Sequence, residues 1–192
     1  MGFRRGFKTE ANSLTADVRA ELGLSMFDPL DPYALAAWLE IPIVRLSEFA
    51  DQAPAVRHLL EVEQEVFSAV TVFAGARRTI VHNDAHAPTR QNSNLTHELA
   101  HGLLLHPPTP ALDNTGCRHW DQDIEDQASW LSGALLVPEP AAMAIAKGQW
   151  TVASASDHFG VSPAMIRFRL NATGAPRRVQ RSRRATLQSA AI

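Results

Sequence analysis

Cysteine is almost missing from this chain: Cys117 is the one cysteine among 192 residues. That excludes an internal disulfide framework and a cysteine-rich zinc cluster, and it suits a reducing compartment. Charge of one sign is not in surplus either. The 18 basic and 20 acidic residues leave a formal net charge of −2, whereas a dedicated nucleic-acid binder ordinarily carries a basic excess. Lysine is scarce, with only Lys8 and Lys147 among the basic residues. No window approaches the ~18 consecutive apolar residues of a membrane span. The positive residues of Met1-Gly2-Phe3-Arg4-Arg5-Gly6-Phe7-Lys8 have no apolar run behind them, so no secretory signal is read. The expectation is a soluble, cytoplasmic protein without a membrane partner.

What is present is enough apolar material, 45% of the chain, to build one core of ordinary size. Two helices are expected in the first forty residues, over about 10–22 and from Asp31-Pro32 onward, where an Asp cap precedes a first-turn proline. Ile41-Pro42-Ile43-Val44 reads as an edge strand because of its proline, and residues 54–65 as a weaker helix. Residues 67–73 and 79–81 are β-rich runs joined across Gly75-Ala76-Arg77-Arg78, the pattern of a hairpin. A helix stopped by Pro107-Pro108 follows, then a long loop, then a helix over about 123–137 ended by Pro138. Helices, then strands, then helices give an α+β class rather than alternating α/β.

The most informative stretch is His97-Glu98-Leu99-Ala100-His101. Two histidines four apart on a helix lie about 40° apart in projection, so both imidazoles reach one point beside it. Neutral imidazole nitrogens suit Zn²⁺. Glu98 can reach metal-activated water without binding the metal itself, and can take its proton. Leu95, Leu99 and Leu103 form an apolar stripe on another face, which gives the helix a core side and a metal side.

Two histidines make half a site. His106 lies nine residues from His97, about 180° round a continuous helix, and the longer three-histidine pattern would need histidine where Pro107 stands. Glu125 is the preferred third ligand. It opens the next helix, on which Ala128, Ser129, Ser132 and Gly133 offer small side chains that permit close approach to the histidine helix. Asp121, Asp126 and His119 stand behind it as alternatives. A carboxylate there is also favoured by the helix dipole alone.

His97-Glu98-Leu99-Ala100-His101, followed by a Glu-x-x-Ala helix that runs into Leu135-Leu136-Val137-Pro138, resembles the ImmA/IrrE family of metallo-endopeptidases. Gly6-Phe7-Lys8-Thr9-Glu10-Ala11, Leu22-Gly23-Leu24 and Ser68-Ala69-Val70-Thr71-Val72-Phe73 are similar to that family as well, and the likeness spans roughly residues 5 to 172. It implies a zincin-like fold: a small antiparallel β-sheet packed against the His-Glu-x-x-His helix and a third-ligand helix. It also implies His97, His101 and Glu125 as ligands of Zn²⁺ (or Mn²⁺), and Glu98 as general base and acid. The implied substrate is a helix-turn-helix transcriptional repressor, cut under stress. The family's usual Ala-Asn-x-Phe-Ala after the glutamate is here Ala128-Ser129-Trp130-Leu131-Ser132, which keeps the small face and an apolar anchor. Tyr33, Arg118 and His119 are the residues considered for oxyanion stabilisation, each read first as structural or surface.

The resulting division is a metallopeptidase domain over 1–148, a helix-turn-helix-like appendage over 149–175, and an Arg-rich disordered tail over 176–192. In the appendage Gly160 marks the turn, Ser162-Pro163 opens the second helix and Ile166 faces inward. Arg167 and Arg169 could meet phosphates, and Arg177, Arg178, Arg181, Arg183 and Arg184 could add non-specific nucleic-acid affinity. The competing function is therefore a transcription-associated DNA- or protein-binding regulator that keeps a structural or sensory metal and acts through residues 151–184.

Overall fold

A computed structural model describes residues 3–107 and 121–189. Cys117, Arg118, His119 and Trp120 lie outside the described residues. The architecture is α+β. Helix α1 (Phe7–Glu21) starts after Gly6, whose φ of 87° is the left-handed conformation that glycine tolerates. Helix α2 (Pro32–Trp38) starts where the sequence places it, with the Asp31 carboxylate accepting the Tyr33 N–H at 2.9 Å. Strand β1 (Ile43–Arg45) is followed by helix α3 (Pro54–Glu61), and the hairpin comprises β2 (Ala69–Ala74) and β3 (Arg77–His82).

The sheet order is β1-β3-β2, with β2 antiparallel and β1 parallel to β3. The sheet is thus mixed, a correction to the antiparallel sheet expected from the family resemblance. The hairpin is a local pattern that its turn reveals. The direction of β1 is set by the segment that carries the chain back between β1 and β2, a non-local matter that alternation does not report. Pro42 lies just before β1, and its carbonyl accepts the Ile80 N–H at 2.9 Å. Both β1 and β2 are edges, so among the described residues one side of β2 has no strand partner.

Helices α4 (Pro88–Leu103) and α5 (Gln122–Leu136) form the centre of the molecule. Leu95, Leu99 and Ala100 of α4 and Ala128, Leu131, Ala134 and Leu135 of α5 are each wholly buried, in one cluster with Phe7, Leu35 and Ile80. Burying such a leucine contributes about 1.5–3 kcal/mol, so the interface that fixes the two helices is also part of the core. Gly133 belongs to another face. A Cβ there would stand 2.9 Å from Phe168 Cε1 and from Arg169 Cδ. Its smallness therefore serves the contact with the later helix that carries Phe168 and Arg169 rather than with α4, contrary to the sequence reading.

Pro138, read as the end of a helix, is also the cap of another, α6 (Glu139–Ala146). Helices α7 (Val152–Phe159) and α8 (Pro163–Thr173) meet at Gly160, in the left-handed conformation with φ 60°. Ala155, Phe159, Val161 and Ile166 join the same buried cluster as α4 and α5, and Asn92 of α4 donates to the Gly160 carbonyl at 2.9 Å. Arg169, weighed as a phosphate contact, is wholly buried. Its Nε donates to the Val137 carbonyl at 2.9 Å and its guanidinium lies 4.8 Å from the centre of the Trp130 ring.

The arginine-rich tail, expected to be disordered, is helix α9 (Ala175–Ser189). Two small anchors, Ala175 and Val179, are buried, and Arg178 pairs with Glu139 of α6. The low overall hydropathy of this arginine-rich stretch is what makes it read as a disordered tail. No helix among the described residues is long and apolar enough to cross a membrane.

Candidate metal centre

The geometry of α4 sets the first half of the centre. His97 and His101 are successive residues of one helical face, with ring centres 4.8 Å apart and planes at 73°. Their Nε2 atoms converge to 3.1 Å. The second half comes from α5. Asp121 caps that helix by accepting the N–H groups of Asp123 and Ile124, and Glu125 follows one turn in. Its Oε2 lies 3.1 Å from His97 Nε2 and 3.7 Å from His101 Nε2. All three residues are half-buried, and their donor atoms lie within 4.8 Å of one another.

These separations suit a tetrahedral ion. Donors about 2.0–2.1 Å from such an ion lie about 3.3 Å from each other, between the shortest and longest distances here. Two imidazole nitrogens and a carboxylate oxygen are a donor set for a borderline divalent ion such as Zn²⁺. The neighbouring histidine rings, His101 first and then His97, hold the Glu125 carboxyl far below the usual carboxylate range. It is therefore an anion ready to ligate. The alternatives have other partners: Asp121 is the helix cap, and Asp126 is buried and accepts from Gln122 Nε2 at 2.7 Å. His119 lies outside the described residues.

Glu98 faces the sheet. Thr71 of β2 donates its hydroxyl to Glu98 Oε2 at 2.5 Å, which ties the carboxylate to the edge strand. A groove of about 350 Å³ runs beside it, lined by Val66, Phe67, Ala69, Asn94, Glu98 and Glu125 among others. The groove wall at 64–67 is fixed from behind: buried Asn83 donates to the carbonyls of Phe67, Gln64 and Leu59, and His86 Nε2 bonds the Gln64 carbonyl at 2.8 Å. Tyr33, weighed as an oxyanion donor, has its hydroxyl 3.2 Å from His82 Nε2.

His106 is in a place the sequence does not indicate. Helix α4 ends at Leu103, and Leu105 takes the left-handed conformation with φ 53°. The turn folds the chain back, and His106 Nδ1 comes to 2.9 Å from His101 Nδ1. It lies on the far side of the His101 ring from Glu125, not among the converging donors. Burial, aided by the nearby His101, holds its pKa below the ordinary histidine value. Thr71 was equally unannounced, since a threonine in a β run is a common residue.

An α+β body with His-Glu-x-x-His on one central helix and a glutamate on the next defines the class of zincin-like metallopeptidases. The chain belongs to the peptidase M78 family, described as the IrrE N-terminal-like domain, whose model matches residues 44–171. The matched span runs from β1 through nearly all of α8. A comparison with curated proteins finds no match.

Proposed function

We propose that this metallopeptidase is a zinc-dependent endopeptidase that cleaves a cytoplasmic helix-turn-helix repressor. His97, His101 and Glu125 would hold the ion, with Mn²⁺ tolerated by the same donors. When bound there, a divalent ion supplies Lewis acidity, lowering the pKa of water toward about 7 and polarising a carbonyl. Glu98 removes the proton from the attacking water and passes it to the leaving amine. The Thr71 hydroxyl occupies one carboxylate oxygen and leaves the other for the proton. The outer edge of β2, unpaired among the described residues, offers main-chain groups to an extended peptide, a mode of binding largely indifferent to sequence. The groove beside Glu98 receives the side chains.

The observation that carries this reading is the convergence of two imidazoles and one carboxylate at the mouth of a groove that also holds Glu98. The repressor as substrate rests on the family resemblance. Its test is co-incubation with a helix-turn-helix repressor, a neighbouring-gene product being the first choice. Wild type should yield one discrete cleavage product. Glu98→Gln should keep about one zinc per chain and cleave roughly 10²–10⁴-fold more slowly. Undiminished cleavage by Glu98→Gln would refute the assigned chemistry.

A second reading, a transcription-associated regulator with a sensory metal, draws on exposed Arg177, Arg181 and Arg184 of α9. It requires salt-dependent DNA binding by the full chain and no cleavage by the wild type.

A further inference from the structure

We infer that His106 is a positioning residue for the metal centre: its Nδ1 accepts the Nδ1–H of His101 and so fixes the tautomer in which the His101 Nε2 lone pair faces His97 and Glu125. The inference rests on the reading of these three residues as ligands. It concerns how one of them is held.

The two Nδ1 atoms are 2.9 Å apart, and a hydrogen bond between them needs one proton. A neutral imidazole carries a proton on one nitrogen and a lone pair on the other. His101 Nε2 lies 3.1 Å from His97 Nε2 and 3.7 Å from Glu125 Oε2, so that nitrogen must present its lone pair to a shared ion. The His101 proton then sits on Nδ1, and His106 must be the acceptor, with its own proton on Nε2. The opposite arrangement would turn an N–H toward the ion and abolish the ligand. A hydrogen bond from a ligating imidazole to a fixed acceptor sets both the tautomer and the ring angle.

The acceptor is itself held in place. His106 is only 8% exposed, and its N–H bonds the His101 carbonyl at 3.0 Å. Arg78 of β3 reaches past Gly102 to the His106 carbonyl, at 3.4 Å. The turn that delivers it uses Leu105 in a left-handed conformation unfavourable for a branched side chain, yet that side chain is 81% exposed. Leu105 therefore contributes no packing that would explain the conformation. What the turn achieves is the placement of His106. His106 as a further ligand is excluded, because its Nδ1 addresses the nitrogen of His101 that points away from Glu125.

The test uses full-length protein and Zn²⁺ alone, with affinity measured against a competing chelator. His106→Leu removes the acceptor, and its affinity should fall about 10–100-fold. His106→Asn, whose Oδ1 stands near the position of Nδ1, should recover most of the loss. Equal affinity of His106→Leu and wild type overturns the inference. So does an asparagine variant as weak as the leucine one, since that marks a general packing effect. Nitrogen-15 spectra of wild type, with and without Zn²⁺, read the tautomer without any mutation. They should show His101 protonated at Nδ1, and protonation at Nε2 in the zinc-loaded protein overturns the inference even if a variant misfolds. Wild type that binds no zinc would end the ligand reading itself, and this inference with it; wild-type binding with an unaffected leucine variant ends only the inference.

Discussion

Two groups of histidines lie in this molecule, and they differ in what surrounds them. His97 and His101 turn converging nitrogens toward the Glu125 carboxylate, beside a groove that His97 and Glu125 line. His82, at the end of β3, is wholly buried, with Nε2 against the Tyr33 hydroxyl and Nδ1 without a hydrogen-bond partner among the described residues. His97 and His101 are carried by α4 and are half-buried, whereas His82 ends a strand packed against α4. Lone pairs that meet at an accessible point make a site, whereas an imidazole sealed against one phenol makes a piece of core. They differ in burial as well as in where their nitrogens point.

The comparison predicts a crossed outcome for two alanine substitutions, and this is the largest effect expected. His101→Ala should lose zinc binding while the metal-free protein unfolds close to the wild-type midpoint. His82→Ala should keep zinc and lose about 2–5 kcal/mol of stability, the usual cost of emptying a large buried site. Zinc titration and denaturant unfolding of both variants check this, and a zinc loss in His82→Ala would erase the distinction. Thr71→Val sharpens the picture on the catalytic side. It removes the hydroxyl on Glu98 with little change of shape, so kcat should fall about tenfold, as for a hydrogen bond to a charged group, with zinc content unchanged. An unaltered kcat would leave Thr71 a purely structural neighbour.

The smallest effect is one of pH. Burial lowers the pKa values of His82 and His106 from 6.5, so in the folded protein both resist protonation. Below pH 6.5 the unfolded chain binds more protons than the folded one, and stability declines as the pH falls. The decline ends only once the buried groups themselves protonate. Unfolding of metal-free protein at pH 7.5 and 5.5 should show this loss, and His82→Gln, which cannot titrate, should reduce it. A wild type equally stable at both values would contradict the assignment of His82 as a buried neutral group.

Much of the candidate site is legible because its signals are local. The spacing of His97 and His101 is a property of one helix, and Glu125 opens the next. The rest depends on geometry that spacing does not carry. His106 looks misplaced so long as α4 is drawn straight through Leu105. A left-handed leucine, unlike a glycine, leaves no mark in the sequence. Gly133 looks like part of the surface facing α4 until α8 is seen to lie against it. Pro138 reads as a stop, yet the chain simply changes direction there and opens α6. The helix α9 is hidden by its arginines, whose polarity makes the stretch read as a solvated tail. Of the sheet, the hairpin is evident in its turn, while the parallel approach of β1 to β3 is a long-range choice.

The account depends most on Glu125. Metal analysis and Zn²⁺ titration of wild type and Glu125→Ala test it directly, since that carboxylate comes from a different helix and no helical repeat obliges it to meet the histidines. Wild type should bind about one zinc per chain with a four-coordinate geometry, and Glu125→Ala should bind far more weakly while remaining folded. Zinc held equally well by the alanine variant would contradict the account.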